Sequence, residues 1–411
     1  MKLDLMDMIY AMSFALSKAE MELLGVETGH NSRVASLSLF MAQQAGISGE
    51  ELRDFIGCCI LHDNALTEFI NEELPRSHML DGAETQLSDI ADIDTVTQHS
   101  LHSVIGEQNI RLVPFKTNVE NIILYHHENA NGSGELGVTA DETGMKAQML
   151  HLADLVDINF DLPTMSEERF TKALAWVEGQ SGKLFSEEVV KLFRDAVTYD
   201  RIADMMNEGT LTTLHREVPT EERDYSDEEI HNLAMFFARV IDYKSEFTQT
   251  HSLGVANKAE QMAHYYGFDR EKTIRFYLAG ALHDIGKLVV SNDILEKPGK
   301  LTDDEFTTMK DHASATYYIL NQMKEIPDIL EWASNHHETL NGKGYPRGLT
   351  AKELSFEERL MACIDIYQAL SEKRPYKDGM PHEKVIAIMK DMADRGSIDE
   401  TIVREMETAM V

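Results

Sequence analysis

The chain has 411 residues, 43% of them hydrophobic and 27% charged, which suits two folded domains rather than a single core or a disordered chain. Its 71 acidic residues against 38 basic ones give a formal net charge of −33, a field that excludes long nucleic acid and an anionic membrane as partners, because both need a basic footprint. Three cysteines, the lack of a long apolar run, and Asp4 and Asp7 where a secretion signal would turn apolar predict a cytoplasmic protein with reduced thiols.

Helical periodicity dominates and no alternating strand pattern interrupts it, so an all-α fold is expected. The first histidine of interest is His30. Ser48 with Glu51 reads as a capping box opening the helix that leads to His62-Asp63. Next come His102, the pair His126-His127 followed by Glu128, the loop Asn131-Gly132-Ser133-Gly134-Glu135-Leu136, and Asp154. Residues 161–225 read as a helical linker, with helices at 167–177 and 187–197 and no recognisable chemistry. Beyond Ser226 and Glu229, another box, His251 starts a face shared with Val255, Ala259 and Met262. His283-Asp284 ends the next helix, before the break at Ile285-Gly286-Lys287. Thr302 with Glu305 opens a helix whose buried face is read as Phe306, Met309, Ala313, Leu320 and Met323, with His312 on the same side. His336-His337 and Glu338 lead into Asn341-Gly342-Lys343-Gly344-Tyr345-Pro346, and Asp365 follows in a helix capped by Ser355 and Glu358.

These positions repeat. His30 precedes His62 by 32 residues, as His251 precedes His283, and a glycine falls 16 residues after the first histidine of each pair, at Gly46 and Gly267. His102 precedes His126 by 24 residues, as His312 precedes His336, and Asp154 and Asp365 lie 27 and 28 residues beyond His127 and His337. An insertion within 66–98 accounts for the one unequal gap, 40 residues against 29. The chain is a tandem duplication. It divides into a first copy at 1–160, the linker at 161–225 and a second copy at 226–411.

Singly, each histidine reads as an ordinary core residue, and the glycine-rich loop as a turn. Five imidazoles and two carboxylates, displayed twice at matched spacing, read instead as a centre for a borderline divalent metal such as iron, manganese, nickel or zinc. The absence of cysteine from the set argues against a structural zinc site. Two such cations close together lower the pKa of a water between them and stabilise charge on phosphate oxygens. Lys287, one turn from the ligands, is placed to bind such an oxygen.

HDIGK at 283–287, HHETLNGKGYPRGL at 336–349 and DIYQAL at 365–370 closely resemble the HD-GYP family, a branch of the HD-domain metal-dependent phosphohydrolases, over about 180 residues. The resemblance implies two tandem HD-domain-like helical bundles and hydrolysis of a bacterial cyclic dinucleotide, cyclic di-GMP or 3′,3′-cyclic GMP-AMP, to the linear dinucleotide. It implies one metal on His251, His283, Asp284 and Asp365 and a second on His312, His336 and His337, with Asp284 bridging; iron or manganese is expected. A third metal, which some members bind through a glutamate before the first histidine, is not expected, since Phe247 and Val26 stand there. Asn341 stands where aspartate is more common. Arg374 and Lys377, in an RPYK-like segment, would contact phosphates or bases, and Tyr345 would stack on a base or anchor the loop.

The first copy keeps His30, His62, Asp63, His102, His126, His127 and Asp154 but has Leu66 in place of Lys287, and Glu135-Leu136 in place of Tyr345-Pro346. Three readings stay open for it: a metal-binding domain of little activity with a regulatory, structural or dimerising role, a second active site for another phosphate ester, or relic histidines without metal. A homodimer is one assembly the first reading allows. For the second copy, the alternatives to a cyclic-dinucleotide phosphodiesterase are a non-catalytic effector that binds the messenger and a phosphohydrolase of other nucleotides.

Overall fold

The computed structural model describes residues 1–24, 28–66, 101–244, 250–297, 299–373 and 379–410. Among them the fold is all-α, apart from one two-stranded pairing of Lys2–Asp4 (β1) with Glu222–Asp224 (β2). The chain divides into two units, Asp4–Glu222 on the one hand and Met1–Leu3 with Arg223–Val411 on the other.

In the N-terminal unit the helices are α1 (Leu5–Leu24), α2 (His30–Gln44), α3 (Gly49–Ile60), α4 (Leu101–Ile110), α5 (Ala140–Phe160), α6 (Glu167–Gly179), α7 (Glu187–Ala196), α8 (Tyr199–Glu208) and α9 (Thr210–Glu217). The axis of the unit is α2, which packs against α1, α3, α5, α7 and α9. Every residue of α2 from His30 to Ala42 is buried. Among its buried polar members, Asn31 Oδ1 accepts from the hydroxyls of Ser13 and Ser17, each at 2.9 Å. The segment read from sequence as a linker belongs to this unit, because α7 and α9 pack on α2 and α6 packs on α5.

The C-terminal unit contains α10 (Asp227–Asp242), α11 (His251–Tyr265), α12 (Arg270–Leu282), a 3₁₀ turn (Ile285–Val289), a single helical turn (Asn292–Leu295), α13 (Asp303–Leu320), α14 (Pro327–Ser334), α15 (Phe356–Ser371), α16 (His382–Asp394) and α17 (Glu400–Ala409). Helix α12 packs on α10, α11 and α14, α15 packs on α11, and α13 lies against the 3₁₀ turn. This arrangement aims the ends of α11, α12 and α14 and the flanks of α13 and α15 at one interior point. The cysteines Cys58, Cys59 and Cys363 are free and buried. Among the described residues no helix is long and apolar enough to cross a membrane.

The local capping signals are realised unevenly. The boxes at Ser226, Thr302 and Ser355 form with both reciprocal bonds. Ser48 does occupy an N-cap but makes no capping hydrogen bond, and Glu51 instead pairs with Lys146 Nζ at 2.8 Å. A box not foreseen joins Thr139 and Glu142 at the start of α5. Phe306 is 49% exposed rather than buried, because the first turns of α13 extend past the core. Burial begins at His312 and Ala313 and continues through Thr316, Ile319 and Leu320. Replacing Ser355 by alanine should therefore cost about 1 kcal/mol of stability, and Ser48→Ala less than about 0.5 kcal/mol, as shifts in urea denaturation would show.

Candidate metal centre

In the C-terminal unit the seven residues named from the sequence lie together. His251 is the first residue of α11, His283 and Asp284 follow the end of α12, His312 sits in α13, His336 and His337 follow α14, and Asp365 lies in α15. The turn after Asp284 is pressed flat on α13. A Cβ added to Gly286 would come within 2.0 Å of the His312 carbonyl oxygen, so only glycine fits there. Thr316 locks the same contact, donating to the His283 carbonyl at 3.0 Å and accepting from Gly286 N–H at 3.1 Å.

The histidines are oriented by their own backbone. Nδ1 of His283 lies 2.7 Å from the Gly280 carbonyl, and Nδ1 of His312 and of His336 lie 2.6 Å from the carbonyls of Met309 and Ala333. A carbonyl only accepts, so each Nδ1 carries the proton and each Nε2 presents a lone pair to the interior. These lone pairs converge. His312 Nε2 and His336 Nε2 are 3.4 Å apart and lie 3.5 and 3.7 Å from Asp284 Oδ1. On its other side, Asp284 Oδ2 lies 3.1 Å from His283 Nε2 and 3.7 Å from His251 Nε2. Asp365 Oδ1 meets His251 at 3.1 Å and His283 at 3.8 Å, while Oδ2 faces His337 Nδ1 at 3.8 Å. Asp284 thus stands between two donor groups, one carboxylate oxygen toward each.

His283 Nε2 and Asp284 Oδ1 are buried with no hydrogen-bond partner. Such orphaned atoms cost about 1–3 kcal/mol each when nothing satisfies them. A divalent cation accepting these lone pairs removes that cost, and the triads His251, His283, Asp365 and His312, His336, His337 each have donor atoms within 4.8 Å of one another. The donor set fits the metal.

The electrostatics agree. Burial alone would push the Asp284 carboxyl up, but His283 and the Lys287 ammonium outweigh it and hold the group well below the usual range. Burial likewise drives His337 down to about 3 and His336 well below its usual value, so both offer neutral rings. His251 is the exception. Burial lowers it, yet Asp365 and Glu372 overcome this and raise it to about 9.

Lys287 Nζ rests 2.5 Å from Asp284 Oδ2, at the edge of the cluster. The Tyr345 ring packs 4.7 Å from that of His337. Arg374, Lys377, Phe247 and Val26, and the insertion sought within 66–98, lie outside the described residues.

Two carboxylates have roles that the sequence reading did not assign. Glu372 Oε2 lies 3.1 Å from His251 Nδ1 while its Oε1 accepts from Thr250 Oγ1 at 2.8 Å, so it orients the imidazole from behind. Its position seven residues after Asp365, two helical turns, was the available signal. Glu338 accepts from the backbone N–H groups of Arg347, Gly348 and Leu349 at 2.6, 3.0 and 2.8 Å and so shapes the loop that carries Tyr345. Gly344 is pinned beneath it, since a Cβ there would lie 2.5 Å from Glu338 Cα. Glu338→Ala should release this loop, seen as faster amide exchange over 344–350, while an unaltered exchange pattern would deny Glu338 that role.

The N-terminal unit repeats the arrangement. His30 Nε2 lies 3.1 Å from Asp154 Oδ1, Asp63 Oδ2 lies 3.4 Å from His62, and Asp63 Oδ1 lies 3.9 and 4.0 Å from His102 and His126. His127 Nε2 is 2.9 Å from His102 Nε2. Behind His30, Asp157 takes the place of a glutamate and is itself held by Arg33 through Nε at 2.7 Å and Nη2 at 2.9 Å.

Residues 236–402 match the model of the HD domain family. The chain is 28% identical over 399 residues to the 3′3′-cGAMP-specific phosphodiesterase 1 of Vibrio cholerae, covering 95% of this chain and 89% of that one. It is 33% identical over 234 residues to the 3′3′-cGAMP-specific phosphodiesterase 3 of the same organism, and 33% identical over 165 residues to the cyclic di-GMP phosphodiesterase response regulator RpfG of Xanthomonas campestris. These two matches cover 56% and 39% of this chain, and 51% and 43% of the relatives' own lengths. The crystal structure of the Vibrio cholerae cyclic GMP-AMP-specific phosphodiesterase V-cGAP3 superposes with a TM-score of 0.65 at 24% identity, over 100% of this chain and 98% of that one, a likeness of fold.

Proposed function

Because residues 236–402 match the HD domain family, we propose that residues 226–411 form a metal-dependent phosphodiesterase that hydrolyses a cyclic dinucleotide. The observation that carries this is Asp284, set between two groups of inward lone pairs with a lysine ammonium on its rim.

In this reading His251, His283, Asp284 and Asp365 hold one divalent ion and His312, His336 and His337 a second, with Asp284 shared. Bound there, the ions supply Lewis acidity to the phosphate and acidify water. The all-nitrogen-and-oxygen donor set supports iron or manganese. Lys287, at the rim beside Asp284, is placed to donate to a non-bridging phosphate oxygen as it gains charge. Tyr345 forms the apolar wall against which a base rests. In the hydrolysis itself a water oxygen bonds to phosphorus, one phosphoester P–O bond breaks, and the leaving ribose oxygen takes up a proton. The relative that matches along both halves is named for 3′3′-cGAMP, which makes 3′,3′-cyclic GMP-AMP the first substrate to try and cyclic di-GMP the second. The buried free cysteines support a reduced, cytoplasmic setting.

The full-length protein should turn over one of these cyclic dinucleotides, lose activity on chelation and regain it with iron or manganese. His283→Ala combined with Asp284→Ala should abolish turnover and lower metal content; full activity in that variant would refute the assignment. Lys287→Met should lower kcat by roughly 10²–10³ while metal content stays at the wild-type level. A Lys287 variant with unchanged kcat would leave that residue a merely structural partner of Asp284.

A further inference from the structure

We propose that the N-terminal unit, Asp4–Glu222, holds a divalent metal centre of its own, on His30, His62, Asp63, His102, His126, His127 and Asp154, built to retain metal without hydrolytic apparatus.

His62 Nδ1 lies 2.8 Å from the Cys59 carbonyl and His126 Nδ1 lies 2.6 Å from that of Ile123. Both imidazoles therefore donate outward and turn a bare Nε2 inward. Neither Nε2 has a hydrogen-bond partner, and both histidines are at most 1% exposed. Two buried lone pairs aimed at a carboxylate repel it and each other unless a cation lies between. Asp63 divides its oxygens as a bridging ligand does, Oδ2 toward His62 and Oδ1 toward His102 and His126. The triads His30, His62, Asp63 and His102, His126, His127 each have donor atoms within 4.8 Å of one another. A relic cluster would be free to drift, yet the spacing of rings holds: His30 and His62 are 5.5 Å apart, and His102 and His127 are 4.9 Å apart.

The surroundings show what has been removed. Leu66, 2% exposed, occupies the position of the catalytic lysine by register, so no ammonium rests on Asp63 among the described residues. Glu135 and Leu136 stand where the loop would carry Tyr-Pro. What remains is strengthened. Arg33 clamps Asp157 with two bonds, and Asp157 in turn fixes His30 through Nδ1 at 2.7 Å. A held imidazole loses less freedom on binding an ion. The unit is thus equipped to keep a cation and not to stabilise a phosphate that gains charge.

The test is metal content in the full chain. The His283→Ala, His336→Ala variant, purified with manganese or iron, desalted and analysed by mass spectrometry, should retain about one to two ions per chain, as a centre sharing Asp63 requires. The further changes His62→Ala and Asp63→Ala should remove them, with helical circular dichroism unchanged. No bound ion in the first variant would overturn the proposal. Should that variant fail to fold, the reciprocal comparison decides. His62→Ala with Asp63→Ala in an otherwise intact chain must bind fewer ions than wild type, and equal content would overturn the proposal.

Discussion

Everything in both units is subordinate to one constraint on protons. A histidine in a helix, just beyond one or in a turn can reach back with Nδ1 to the carbonyl three residues earlier. His62, His126, His283, His312 and His336 all do so. That bond decides which nitrogen is bare and where it points. Two of these rings present lone pairs around Asp63 and three around Asp284, and a cation in each cluster relieves buried atoms that cost about 1–3 kcal/mol each when unmet. The helices must then close around that point, and features such as the flush contact of Gly286 on α13 are its consequences.

How much of this could be read beforehand follows the same division between local and tertiary causes. That these histidines and aspartates would come together was legible because spacing is local and the chain displays it twice. The order of elements and the boxes at Ser226, Thr302 and Ser355 were legible because a cap is a bond within four residues. Ser48 has the same pattern but no such bond, because Glu51 has a better partner in Lys146, nearly a hundred residues away. Phe306 fits the periodicity of its helix, but periodicity says nothing of where the core ends. Glu372 and Asp157 perform one task, steadying the first histidine of each copy, from different positions in their helices. A comparison of the two copies that matches residue to residue misses such an exchange.

The two copies separate what holding a cation would need from what catalysis would need. They share donors, ring spacing and a carboxylate that faces two ways. They part at the lysine, at the Tyr-Pro pair of the loop and at the carboxylate behind the first histidine. Lys287 lies against Asp284 in one, and a buried leucine takes that position in the other. Binding a cation needs only the converging donors, whereas stabilising a phosphate as its charge grows needs a further positive group at the rim.

The glutamate after each histidine pair has a last consequence. Glu338 and its counterpart Glu128 grip the loop only through amide hydrogens, those of Arg347, Gly348 and Leu349 in one case and of Leu136 and Val138 in the other. Amide hydrogens are the same whatever side chain follows them. Both loops are also closed by a short bridge, Asn131 to Thr139 and Asn341 to Thr350. The hold on the backbone is thereby separated from the residues displayed along it, tyrosine and proline in one copy and glutamate and leucine in the other. The two bridges span eight and nine residues, so the grip by a glutamate persists across a one-residue change in loop length. What the duplication has kept is the means of anchoring the loop, and what it has varied is the loop itself.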